Sequence, residues 1–117
     1  MHNYKELNVW QKSRELVKFI YFLTSKFPKE ELFGISSQMR RAVISISSNI
    51  AEGFVHSSKK DFIRFLEISY SSTSELETQI ILSFDLNYVI EIDLNLGLEK
   101  ISEIQKMLSG LIKSLKK

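Results

Sequence analysis

Apolar residues recur every three or four positions along most of the chain, which is the spacing of one face of an α-helix. Breaks are few, because the chain has one proline, Pro28, and four glycines. The periodic stretches predict four helices over residues 8–27, 36–54, 58–87 and 93–116. Since short connections favour antiparallel neighbours, we predict an all-α fold, an antiparallel up-down-up-down four-helix bundle that forms one domain over residues 1–117.

The least ordinary segment runs from Gln38 to Gly53, where an apolar stripe passes through many small polar residues. Its apolar positions are spaced four, three and four residues apart, which forms a seam for packing against other helices. At about 100° per residue, a polar face lies opposite this seam. The seam comprises Met39, Val43, Ile46 and Ile50, and the polar face comprises Arg41, Ser45, Ser48 and Glu52. Because serines and β-branched residues are poor helix formers, this helix depends on tertiary contacts.

Three N-terminal caps are expected to set the helix starts. Asn8 followed by Gln11 has the spacing of a capping box at the first helix. Ser36 can cap the second helix, because its hydroxyl accepts from a backbone N–H that has no intrahelical partner. Either Ser57 or Ser58 can cap the third helix, and the sequence leaves both open.

The last third of the predicted third helix is apolar on more than one face. One partner helix covers only one of these faces, so the remaining surface favours a contact with another subunit. The apolar residues are Ile80, Ile81, Leu82, Phe84 and Leu86.

Charge is unevenly spread along a chain whose net charge is only +2. Residues 36–64 hold five basic and two acidic side chains, a balance of +3. Residues 65–105 hold eight acidic side chains and one basic, a balance of −7, and the C-terminus turns basic again. Regions of opposite sign allow copies of a chain to associate, and basic regions can hold phosphates. The alternative interpretation is that these are ordinary solvated helix faces.

Residue types that carry catalytic or metal chemistry are scarce. The absence of cysteine excludes disulfides, thiol catalysis and cysteine-ligated zinc. The histidines, His2 and His56, lack the Glu-x-x-His spacing of di-iron bundles, and we interpret His56 as an exposed loop residue. Glycine-rich phosphate loops and serines with a neighbouring base are also missing. We therefore predict no catalytic residue, no metal and no cofactor, and hence no enzyme.

The N-terminal residues are polar and lead into no apolar segment. No uninterrupted apolar run approaches the roughly 20 residues that span a bilayer. We therefore expect no membrane partner and a cytoplasmic location.

Several motifs together resemble one known family, the small four-helix bundle proteins encoded in intervening sequences of bacterial 23S ribosomal RNA genes. The first helix and the connection after it contribute Leu7-x-Val9-Trp10-Gln11-Lys12, Phe27-Pro28-x-Glu30-Glu31 and Gly34. The later motifs are Gln38-x-x-Arg41-Ala42, Ser45-Ile46-x-Ser48-Asn49-Ile50-Ala51-Glu52-Gly53, Lys60-Asp61-Phe62-x-x-Phe65-Leu66 and Ser74-Glu75-Leu76-Glu77-Thr78. The chain departs from the family at Ser47, where proline is frequent, and at Ser71-Ser72, where glycine often precedes serine.

The resemblance implies a four-helix bundle that assembles into a ring-shaped homopentamer without a defined enzymatic activity. The family is also similar to the accessory variability determinant of diversity-generating retroelements, a pentameric barrel that binds nucleic acid and a reverse transcriptase. This similarity makes RNA or DNA the expected partner, beside further copies of the chain itself.

Two functional hypotheses follow. The first is a non-catalytic oligomer that binds nucleic acid, with phosphate contacts from Arg40, Arg41, Lys59, Lys60, Arg64, Lys113, Lys116 and Lys117. The second is a structural or adaptor protein whose partner is another protein and whose second helix serves only oligomer assembly. The expected oligomer interface consists of Arg41, Ser45, Ser48, Asn49, Glu52, Ile81 and Phe84.

Overall fold

The computed structural model describes residues 3–56 and 58–117, and these ranges contain four α-helices and no strand. The helices are α1 (Asn8–Thr24), α2 (Ile35–Val55), α3 (Lys59–Asp85) and α4 (Glu91–Leu115). Short 3-10 turns at Tyr4–Glu6 and Lys29–Glu31 precede α1 and α2. The predicted all-α fold with four helices is therefore confirmed.

Each helix packs against the helices before and after it in the chain, and α1 also contacts α4. Within the described ranges α1 and α3 make no close approach, and neither do α2 and α4, so these two pairs lie across the diagonals of the bundle. Side-chain hydrogen bonds join helices that are neighbours in the chain. Examples are Arg40 to Thr24 at 2.8 Å, Ser47 to Ser13 at 3.0 Å and Gln105 to Thr73 at 3.1 Å.

The predicted apolar seam of α2 is completely buried at all four positions. It packs against apolar residues of the other three helices, which are equally inaccessible. These include Leu16, Ile20, Leu66, Leu76, Ile80, Ile101, Ile104 and Leu108. Since such side chains each contribute about 1.5–3 kcal/mol on burial, this core is the main source of stability.

Small polar residues lie inside the interface between α2 and α3. The Ser69 hydroxyl is fully buried and donates to the carbonyl of Ile46 at 2.9 Å. The Ser83 hydroxyl donates to the Gln79 carbonyl at 2.8 Å and lies 3.4 Å from the Met39 sulfur. A short side chain that satisfies its own polar atom lets two helices approach closely, so the unusual serine content of this region has a packing role.

Two of the expected N-terminal caps are wrong. Leu7 occupies the cap position of α1, and α2 begins at Ile35 with Gly34 as its cap, so Asn8 and Ser36 both lie inside first turns. Ser36 is buried there, and it is the Glu31 carboxylate that approaches the Ile35 N–H, at 3.5 Å.

The cap of α3 matches one of the two serines proposed for it. Ser58 Oγ accepts from the Asp61 N–H at 3.0 Å, whereas Ser57 lies outside the described residues. An oxygen at this position satisfies a backbone donor that the helix leaves unpaired.

Helices α1 and α3 end a few residues before the predicted boundaries. After Thr24 the backbone N–H groups of Lys26 and Phe27 bond to carbonyls three residues earlier instead of four. The chain then reaches Pro28, which cannot extend a helix. At the end of α3, Asn87 adopts a left-handed conformation with φ 66°. The Tyr88 N–H bonds to the Ser83 carbonyl at 2.9 Å, which completes a Schellman motif.

Candidate nucleic-acid and assembly surfaces

The bundle is 44 Å long, and its two ends carry different side chains. We call the end where α3 begins and α4 finishes the basic end, and define it by Lys59, Lys60, Arg64, Lys113 and Lys116. We call the other end, with the α1–α2 and α3–α4 connections, the apolar end, and define it by Leu32, Phe33, Leu86, Ile90 and Ile92.

At the basic end, four of the predicted phosphate-binding residues line one open groove of about 700 Å³. These are Lys59, Lys60, Arg64 and Lys116, accompanied by Asp61, Ile63 and Glu67. The chain brings them together because the first turns of α3 lie beside the end of α4, where Glu67 contacts Lys116. Lys59 and Lys116, which are 57 positions apart in sequence, thus share one surface.

The acidic residues in this groove form only long, exposed ion pairs. Arg64 Nε lies 3.9 Å from Asp61 Oδ1, and Lys116 Nζ lies 3.7 Å from Glu67 Oε2. Exposed pairs of this kind contribute about 0–1 kcal/mol, so an incoming anion can replace them at little cost. Lys59 makes no ion pair with any residue that the structure describes, and the same holds for Lys60.

A second groove of about 460 Å³ adjoins the first along α3 and α4. Lys113 and Lys116 line it together with the apolar surfaces of Tyr70 and Ile112. The last predicted phosphate contact, Lys117, is exposed just beyond the end of α4. The basic end therefore gathers six of the eight residues in the predicted set.

The other two predicted phosphate contacts, Arg40 and Arg41, lie towards the apolar end near the start of α2. Arg40 is half-buried. Its Nε donates to Thr24 Oγ1 at 2.8 Å, and its guanidinium lies 4.5 Å from the Tyr21 ring centre. Arg41 is exposed and lines an open groove of about 470 Å³ with Tyr21 and Phe33. The structure thus separates these arginines from the lysine-rich groove.

Two of the predicted interface residues on α2 bond inside the subunit. Ser45 Oγ lies 2.9 Å from Ser72 Oγ of α3, and the Asn49 amide donates to the Ser45 carbonyl at 2.9 Å and to its hydroxyl at 3.0 Å. Arg41, Ser48 and Glu52 of the same set are exposed. Glu52 lies 3.7 Å from His56, its neighbour one turn further along.

The two apolar residues of the predicted interface differ in exposure. Ile81 is exposed, whereas Phe84 is half-buried and lies on the same helix, α3. Both belong to the half of α3 that runs to the apolar end.

Within residues 3–56 and 58–117, no group of three or more His, Asp or Glu side chains is placed to hold a metal ion. The same ranges contain no helix that is both long enough and apolar enough to span a bilayer. His2 lies outside the described residues.

A family model described as 23S rRNA-intervening sequence protein matches residues 5–110. The chain belongs to this 23S rRNA-intervening sequence protein family. It is similar in structure to a protein of unknown function from the S23 ribosomal protein family of Bacteroides thetaiotaomicron, with a TM-score of 0.84 and 30% sequence identity. That match covers 90% of this chain and 95% of the other. Comparison with curated proteins finds no match.

In this member of the 23S rRNA-intervening sequence family, two exposed side chains of the apolar end, Phe33 and Ile92, were not singled out from the sequence. Phe33 is 93% exposed and Ile92 is 74% exposed, the two highest values among the large apolar residues. Their positions in the chain could have indicated this exposure, because Leu32-Phe33 precedes Gly34 in a connection and Ile92 lies in the first turn of α4.

The apolar periodicity of α3 also gave no indication that one polar side chain, that of Gln79, is buried. The side chain of Gln79 is almost completely buried on α3, and its Oε1 has no hydrogen-bond partner among the described residues. Its amide nitrogen makes only a long contact of 3.5 Å with Glu75.

Proposed function

We propose that this protein is a non-catalytic homo-oligomer, a pentameric ring, that binds RNA or DNA through its basic end. The observation that carries the proposal is the convergence of Lys59, Lys60, Arg64 and Lys116 on one open groove. Lysine and arginine side chains that neutralise phosphates supply most of the sequence-independent affinity for nucleic acid.

The local geometry of the basic end suits a phosphate. Lys59 and Lys60 form the first turn of α3, where the helix dipole places partial positive charge and adds to that of the ammonium groups. Lys116, the residue that ends α4, lines the same groove from the neighbouring helix. An anion in the groove would meet cations from two elements.

Oligomerisation would make a modest site effective. A single groove offers only a few phosphate contacts, but copies arranged around a ring can hold several segments of one strand at once. The number five and the ring shape come from the family resemblance. The proposal places the protein in the cytoplasm, beside the RNA and DNA that it would bind.

The test is a salt titration of binding to RNA and DNA by the full chain and by the double variant Lys59→Glu, Lys60→Glu. We expect the affinity of the wild type to fall steeply with salt, and the variant to lose about one unit of salt slope for each lysine removed. Lys29→Glu changes an exposed lysine at the apolar end and is the matched control. Absent or salt-insensitive binding at low ionic strength would contradict the proposal.

The second candidate function is that of a structural or adaptor protein whose partner is another protein. The exposed apolar side chains of the apolar end favour it, because such residues are typical of protein contacts. The same titration separates the two functions, since an adaptor would show no binding to RNA or DNA while its oligomer remained intact.

A further inference from the structure

The apolar end carries two exposed apolar surfaces on opposite sides of the bundle. The first is the aromatic groove, formed by Tyr21, Leu32, Phe33, Ser37, Arg40, Arg41 and Ile44 along α1, α2 and their connection. The second is the turn patch, formed by Leu86, Ile90 and Ile92 where α3 passes into α4. Because neighbours in the chain are neighbours in the bundle, these two connections lie on opposite edges.

Contacts inside the subunit hold the α1–α2 and α3–α4 connections at the same level along the bundle axis. The Tyr88 hydroxyl of the α3–α4 turn donates to Glu31 Oε2 at 2.8 Å, and the rings of Phe27 and Tyr88 lie 5.4 Å apart. The aromatic groove and the turn patch are therefore fixed in position relative to each other.

The two surfaces carry opposite charge. Arg40 and Arg41 line the aromatic groove without any acidic residue in its lining. Residues 81–99, which contain the turn patch, hold four acidic side chains and no basic one. Among them Glu91 and Asp93 lie in the first turn of α4, directly beside Ile90 and Ile92.

We propose that the turn patch of one copy of the chain occupies the aromatic groove of a second copy. The inference rests on the homo-oligomer of the proposed function and specifies its contact. Apolar side chains of the turn would cover Phe33, while Glu91 and Asp93 would face Arg41, which is exposed and makes no ion pair with the described residues.

The pairing is head-to-tail. Two turn patches placed together would bring acid against acid, and two grooves would bring arginine against arginine, so like-with-like contacts are disfavoured. When two copies join through different surfaces, one aromatic groove and one turn patch remain free on the pair. Further copies therefore add until the rotation between neighbours closes a ring. Arg41 then serves assembly, and the basic end stays free for phosphates.

The experiment uses Phe33→Asp in the groove and Ile92→Asp in the turn patch, with masses measured by light scattering. Each variant alone should run as the 13.6 kDa monomer. Mixed in equal amounts, they should form a dimer and nothing larger, because only one intact groove and one intact turn patch can meet. Val55→Asp changes a residue 66% exposed at the other end of α2 and should keep the mass of the wild type.

The remaining outcomes overturn the inference in distinguishable ways. A monomeric wild type would contradict the homo-oligomer of the proposed function, and therefore this contact as well. An oligomer that both variants leave unchanged would overturn only this contact. Variants that each form a dimer alone would show that each surface meets its own kind, and monomeric variants that fail to dimerise when mixed would show that groove and turn patch do not meet. If Phe33→Asp lowered nucleic-acid affinity at unchanged mass, the groove would hold nucleic acid instead of a second copy.

Discussion

The basic end and the apolar end expose cations in two different settings. At the basic end Lys59 and Lys60 are exposed, and they share a groove with ion pairs of 3.7 and 3.9 Å that are themselves exposed. At the apolar end Arg40 is hydrogen-bonded to Thr24 and stacked over Tyr21. A positive residue is available to a phosphate only where the fold leaves it without a better partner. The number of cations is therefore a weaker guide to binding than their contacts.

A glycine lies at a close helix contact near each end, and the atoms that face the two glycines differ. A methyl group added to Gly53, near the basic end, would lie 2.7 Å from the Phe65 Cβ and 3.3 Å from the Phe62 carbonyl oxygen. Both atoms are fixed by the backbone of α3. We expect Gly53→Ala to lower the free energy of unfolding by about 1–3 kcal/mol, because overpacking outweighs the better helix propensity of alanine. Chemical denaturation would measure the loss.

Gly97→Ala is the matched change near the apolar end. The added methyl group would meet the Ile80 Cδ1 atom and, at 3.2 Å, the Phe19 Cε2 atom. Because both are outer atoms of side chains, they can move more easily than a backbone carbonyl, and we expect a smaller loss than at Gly53. A larger loss at Gly97 would reverse the comparison and place the tighter helix contact at the apolar end.

The contrast between Arg40 and Lys60 allows a second pair of substitutions. Arg40→Ala removes a half-buried charged hydrogen bond between α1 and α2, so we expect it to cost about 1–2 kcal/mol of stability and to leave nucleic-acid affinity unchanged. Lys60→Ala removes an exposed side chain, so we expect it to leave stability unchanged and to lower nucleic-acid affinity. Denaturation and low-salt binding, measured on both variants, give the two readouts.

Lys29→Ala is the control for this pair, because Lys29 also carries a positive charge at the apolar end but is exposed and lies outside the aromatic groove. Its folding stability should stay within about 0.5 kcal/mol of the wild type. Loss of affinity in Arg40→Ala with unchanged stability would return that residue to the phosphate-binding set.

Much of the fold could be predicted because its determinants are local. The seam of α2 follows from a spacing that any helix converts into one face, and all four of its residues are buried. The cap at Ser58 follows from the chemistry of a single hydroxyl. The end of α3 was harder, since the left-handed Asn87 gave no periodic signal.

The candidate surfaces depend on distant contacts, which periodicity does not encode. Arg40 and Lys60 belong to one positive stretch of sequence, but α2 carries them to different ends of the bundle. The partner of Arg40 lies 16 residues earlier, and that of Ser45 lies 27 residues later. Only the packed structure shows that Ser45 already has a hydrogen-bond partner inside the subunit.

The smallest predicted effect concerns the hydrogen bond between the two connections at the apolar end. The bond from Tyr88 to Glu31 raises the pKa of the Tyr88 phenol, and burial and the negative charges of Glu31 and Glu30 add to the rise. A raised pKa in the folded state means that folding favours the neutral phenol. Its contribution to stability is therefore complete below the unfolded value of about 10 and is lost as the pH rises through the folded pKa.

Tyr88→Phe removes this contribution. The wild type should therefore be slightly more stable than the variant at neutral pH, and the difference should shrink in alkaline solution. Denaturation at a series of pH values measures it. Tyr70→Phe is the control, because its hydroxyl makes no hydrogen bond with the described residues, so this variant should follow the wild type throughout. A stability difference for Tyr88→Phe that stayed constant with pH would mean that the two connections are not joined by this bond, and the aromatic groove and turn patch would lose one of the contacts that hold them at the same level.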